Sequence, residues 1–201
     1  MLHLNYKPVD FVYALSSSSG SQLRQLLKPA LTVGLIFALS ACSLNSDAAP
    51  QSELSDANIA AIVVGANNID ISAAKIALTH SNNKDVIQFA RTMITDHNSV
   101  LSSAVALANK LELTPVDNDL VATLAEQSRK HEEKLRSLTG KAFDRAYIEH
   151  EVEYHRAVIG VIETQLIPGA RNKELKSLLA SVLPAFRAHL QHCEQIQKQL
   201  S

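Results

Sequence analysis

The chain has 201 residues, 46% of them apolar but only 4% aromatic, and it contains no tryptophan. A core must therefore be built from Ala, Leu, Ile and Val, and six glycines with six prolines are too few for a turn-rich β sandwich or barrel. A net charge of −1 excludes an electrostatic nucleic-acid binder, and two cysteines exclude a disulfide framework.

In chain order, the first feature is a targeting segment over residues 1–41. Arg24 and Lys28 precede an apolar run at 29–38, and Leu39-Ser40-Ala41-Cys42 follows. That is a basic region, a hydrophobic region and a small-residue cleavage site. The run is shorter than the about 20 residues a membrane span needs. Leu-Ser-Ala-Cys resembles the lipobox of bacterial lipoproteins, which implies cleavage before Cys42 and acylation of its thiol. The resemblance implies a membrane partner through the lipid anchor. Ser43 after the cysteine implies the outer membrane, facing the periplasm. The residues before Leu23 make the leader long, which places the expected true start near Leu23. Residues 42–54 are small and polar and are expected to form a tether.

From residue 55 the period is helical, and no window alternates in the manner of a strand. A helix is predicted over 56–80, with Ser55 as N-cap and a stripe that includes Ile59, Ile62, Ile69 and Ile76. A second is predicted over 84–111, ended by Thr114-Pro115 because the residue before proline is pushed out of the α region. A third, over 117–137, is short and heavily charged. A fourth runs from 142 to 167 and stops at Pro168-Gly169. A fifth, over 172–199, is capped by Asn172 and carries Pro184, which is expected to kink it. The fold class is all-α: an antiparallel four-helix bundle with an additional shorter helix, over residues 55–201.

Each long helix places one ionisable residue inside its apolar stripe: Asp70, His97, His155 and His189. All stand three or four residues from apolar neighbours and so point inward. Each lies roughly 20–26 Å from its helix start at 1.5 Å per residue, near mid-height, so the four are expected to share one layer. Imidazoles with a carboxylate suit a transition metal such as Zn or Fe, and also Cu or Ni. The other reading is a self-satisfied Asp–His hydrogen-bond network that fixes helix register.

Asp96 is expected behind the layer. Glu151, one turn before His155, is read either as an outer member of the layer or as a solvated flank residue. His80 is read as a helix-terminus charge, His131, His150 and His192 as surface, and Cys193 as a small hydrophobe. No Glu-x-x-His, C-x-x-C-H, G-x-G-x-x-G or nucleophile elbow occurs, so no catalytic residue is assigned.

Residues 54–200 resemble the DUF4142 family of bacterial envelope domains. The stretches that carry the resemblance are 69–75 (Ile-Asp-Ile-Ser-Ala-Ala-Lys), 93–97 (Met-Ile-Thr-Asp-His), 143–147 (Phe-Asp-Arg-Ala-Tyr), 155–158 (His-Arg-Ala-Val) and 183–189 (Leu-Pro-Ala-Phe-Arg-Ala-His). Asp70 stands where the family usually has Glu, and Tyr154 where it has Asp, which argues against a symmetric ligand set. The resemblance implies a ferritin-like fold and an envelope location, and no established activity. The functional expectation is a non-enzymatic, lipid-anchored protein that binds one transition metal in its core. The alternatives are a metal-dependent oxidase or peroxide-handling enzyme, and a structural or interaction module.

Overall fold

A computed structural model describes residues 54–201. The signal segment, Cys42 and the tether up to residue 53 lie outside the described residues. Leu54, expected to belong to the tether, packs against the core.

Five helices follow in order: α1 Asp56–His80, α2 Lys84–Lys110, α3 Asp119–Arg136, α4 Gly140–Val161 and α5 Lys173–Leu200. No strand occurs among the described residues. Asparagine and serine side chains set the starts. Ser55 and Asn58 form a capping box on α1, and Asn83, Asn118 and Asn172 accept backbone N–H groups at the first turns of α2, α3 and α5. Helix α4 has no side-chain cap. It starts at Gly140, whose φ of +56° lies in the left-handed region that glycine enters without penalty.

α1 packs along α2 and α4 along α5. The two pairs join through α2 with α5 and α1 with α4, and α3 lies chiefly across α1. This is the expected four-helix bundle with a shorter fifth helix on its side. α1 is thereby buried nearly all round. It is long and apolar enough to cross a membrane, yet 78% of its most apolar window is buried inside the bundle.

Polar clasps hold the loops to α1. The Asp56 carboxylate accepts the backbone N–H groups of Arg171 and Asn172 at 2.8 and 2.9 Å. Ala57 O accepts Val116 N–H, and Asn58 Nδ2 donates to Val116 O, each at 3.1 Å.

The fourth helix departs from expectation. A π-helical segment, Ile162–Leu166, follows α4 and leads into a last turn, Ile167–Gly169. Widening the ladder changes the bonding of carbonyls in the preceding turn, and Thr164 Oγ1 donates to Gly160 O at 2.7 Å. Ile162 and Leu166 are both buried. α5 runs unbroken through Pro184.

The apolar interior has two parts. One gathers Ile59, Ile62, Ile69, Val158, Leu179 and Phe186; the other gathers Ile76, Phe89, Met93, Tyr147, Ile148 and Cys193. Along every long helix, the ionisable residue falls where one part gives way to the other.

Candidate metal centre

Of the four residues that sequence spacing places in one layer, the three histidines meet, and Asp70 stands against two of them, His97 and His155. The ring centres of His97, His155 and His189 form a near-equilateral triangle, 5.4–5.8 Å on a side. One ligand atom from each lies within 4.8 Å of the others. Asp70 Oδ2 is 3.2 Å from His97 Nε2 and 3.6 Å from His155 Nε2. Two donors held 2.0–2.2 Å from one tetrahedral ion stand about 3.3–3.6 Å apart, so the observed spacings suit a shared cation. Asp70, His97, His155 and His189 are all buried.

The outer nitrogen of each ring has its own partner. Asn67 donates through Nδ2 to Val63 O at 2.7 Å, which leaves Oδ1 to accept from His97 Nδ1–H at 2.9 Å. His155 Nδ1–H donates to Glu151 O at 2.9 Å. His189 Nε2–H donates to Asp96 Oδ2 at 2.9 Å. Each bond fixes a tautomer and leaves the second nitrogen with a lone pair. Those lone-pair atoms (His97 Nε2, His155 Nε2 and His189 Nδ1) are buried and have no hydrogen-bond partner. The same holds for both oxygens of Asp70. Metal-binding histidines are typically held in this way, with the far nitrogen hydrogen-bonded and the near one free.

A purely structural network does not satisfy these groups. Burial pushes the Asp70 carboxyl up to about 8, so without a cation it holds a proton near neutrality. That proton serves one nitrogen at most. Each orphaned buried polar atom costs about 1–3 kcal/mol. Burial also holds His97 and His155 in the neutral, ligand-competent form. His97 is further disfavoured as a cation by His155 and His189, and His155 by His189.

Four expectations need correction, those for Glu151, His150, His131 and His192. Glu151 is not a solvated flank residue. It is buried, its carboxylate is 3.6 Å from His155 Nδ1, and it forms a second close group with Asp70 and His155. Its inward position was visible in the four-residue step to His155. His150 is not on the surface: it is buried and stacks on His131, with ring centres 3.5 Å apart. His131, also expected at the surface, is only partly exposed, and burial lowers it to about 4. The cause is α3, which covers a face of α4 that a one-sided stripe leaves open. Asn67 carried no sequence signal beyond its place one turn before Asp70. Asp96, expected behind the layer, stands behind His189 of the neighbouring helix. His192 is partly buried against Phe89, and Cys193 is buried, its thiol donating to Leu190 O.

Phe186 covers the triangle on one side, its ring 5.0 Å from His97 and 6.0 Å from both His155 and His189. Beyond Phe186 and Asn67 lies an apolar cavity of about 30 Å³, lined among others by Ile62, Val158 and Leu179.

The profile of the domain of unknown function DUF4142 matches residues 41–196. No curated protein matches the chain. Among the solved structures of similar fold are two that cover most of the helical domain. One is from Streptomyces coelicolor and is named as a secreted DUF305 protein. It is 12% identical with a TM-score of 0.60, over 71% of this chain and 91% of that one. The other is CopM in its Cu(II)-bound form, 16% identical with a TM-score of 0.57, over 73% of this chain and 98% of that one.

Proposed function

Because this chain belongs to the DUF4142 family, whose helical domain has no assigned activity, we propose that it is a non-enzymatic metal-binding protein of the cell envelope. It holds one transition metal ion through Asp70, His97, His155 and His189. One observation carries the reading: three imidazoles, each tied back through its outer nitrogen, turn unpartnered lone pairs and the Asp70 carboxylate into one buried layer. Three nitrogens and one oxygen suit Zn, Cu, Ni or Fe rather than Mg or Ca. Four protein donors would fill a tetrahedral shell, the arrangement of a holding site; a catalytic ion keeps a position for water or substrate. That favours storage or delivery over an oxidase. CopM, of similar fold, is known in a Cu(II)-bound form, in keeping with this reading.

The Leu39–Cys42 motif supports a lipid anchor on Cys42, and Ser43 after it supports an outer-membrane position facing the periplasm. Metabolic labelling with an acyl precursor tests the anchor, and Cys42→Ala should abolish it.

Elemental analysis of untagged protein, purified without chelator, tests the metal site. The expected result is about one equivalent of a first-row metal, lost in His97→Ala/His155→Ala. Metal-free protein that takes up no Zn(II), Cu(II) or Ni(II) would sink the proposal, as would uptake unchanged in the double variant.

A further inference from the structure

We infer that the exposed Asp96 carboxylate is the point at which the ion enters and leaves, with His189 as the movable ligand that carries it to the centre. The inference rests on the metal-site reading above. Its first support is a gradient of exposure. The side chains of Asp70, His97, Glu151 and His155 are 0–2% exposed, that of His189 is 5%, and that of Asp96 is 43%. Among the groups joined to the centre, only the His189–Asp96 pair reaches solvent.

The second support is an asymmetry in how the rings are held. His97 is tied to Asn67 and His155 to a backbone carbonyl of its own helix, both buried partners. His189 is tied by Nε2 to the half-exposed Asp96 alone, while its Nδ1 is buried and unpartnered. An ion that binds Asp96 therefore competes for the one bond that fixes the ring. His97 and His155 have no such exposed tether.

The third support is charge. Other carboxylates on this part of the surface are already paired: Glu194 with Arg156 and Glu163 with Arg187. Among the described residues Asp96 pairs with no lysine or arginine, only with His189, which leaves it open to an approaching cation. The other approach, through the cavity beside Phe186, presents only apolar side chains and the Asn67 amide. A hydrated cation would shed its water there without compensation.

Stopped-flow quenching of tyrosine fluorescence by Cu(II), in metal-free full-length protein, tests this port. Tyr154 reports, since its ring is 5.9 Å from that of His155. Asp96→Asn keeps an acceptor for His189 Nε2–H and removes only the charge. The expected result is an association rate lower by about tenfold, with its ionic-strength dependence largely lost. Glu112→Gln, an equal charge change on the distant α2–α3 loop, should leave the rate within about twofold of wild type. If Asp96 only positions the ring, Asp96→Asn will associate at the wild-type rate, and that result overturns the port. Wild-type protein that shows no quenching and no bound Cu(II) overturns the metal site itself, a failure separable from the first.

Discussion

A carboxylate at mid-height in an apolar bundle loses several kcal/mol of hydration unless a proton or a cation compensates it. The groups facing Asp70 are two imidazoles and a second carboxylate, Glu151. In metal-free protein Asp70 must hold a proton and has no hydrogen-bond partner, so it is a liability of about 1–3 kcal/mol that a shape-matched apolar residue removes. Asp70→Leu is expected to raise the melting temperature of the metal-free form and to abolish tight metal binding. Differential scanning calorimetry with and without chelator, beside a Zn(II) titration, separates the two effects. A lower melting temperature in chelator would mean that Asp70 earns its place structurally. Asn67 acts one step removed. Asn67→Leu should weaken metal affinity about 10–100-fold, as loss of such supporting partners generally does, while Asp70 and all three rings remain. Competition against a colorimetric chelator measures this, and an unchanged affinity would dismiss the tautomer argument for His97. The four central residues were legible in the sequence because each interrupts an apolar stripe at the helical step. Asn67 was not, since an amide on a helix gives no sign of which side chain will pair with it across the bundle.

At the level of the helices, what was legible was amphipathicity and capping, and what was not was the number of buried faces. α1 and α2 appear where Ser55, Asn83 and Thr114-Pro115 place them. α4 was misjudged because it is covered on more than one side, which buries His150 and Glu151 beside the expected stripe. The π segment also escaped notice, since nothing in the composition of residues 162–166 distinguishes a widened turn from an α turn. One helix junction makes a clean test. Gly140 has a φ of +56°, and a Cβ built there meets nothing within 4 Å. Gly140→Ala therefore probes backbone strain alone. It is expected to cost about 1–2 kcal/mol, the usual penalty of a left-handed L-residue, read as a lower urea midpoint with an unchanged slope. A midpoint equal to wild type would show that the start of α4 relaxes into a right-handed conformation.

Across the whole molecule, the buried titratable groups oppose one another. His97, His131, His150, His155 and His189 are all lowered from 6.5, chiefly by burial, with His131 near 4 and His155 near 3. Below pH 6.5 the unfolded chain takes up protons at these positions and the folded chain does not, so acid drains stability through the window from about 6.5 down to about 3–4. Asp70 and Glu151 are raised, Asp70 to about 8, so the folded chain keeps protons there that the unfolded chain has released; stability falls as pH climbs toward 8. Five imidazoles outweigh two carboxylates on the acid side, where both sets act. Above 6.5 only the carboxylates remain. Metal-free protein should therefore be most stable near pH 6.5 and lose stability in both directions. A bound cation changes one limb only. It favours the ionised form of Asp70 and stabilises the folded state more as protons become scarcer. Urea unfolding at pH 5, 6.5 and 8, with chelator and with saturating Zn(II), should show the alkaline decline shrink on loading, by the share that Asp70 contributes, while the acid decline stays. An alkaline limb of unchanged steepness in saturating Zn(II) would place the ion somewhere other than against Asp70.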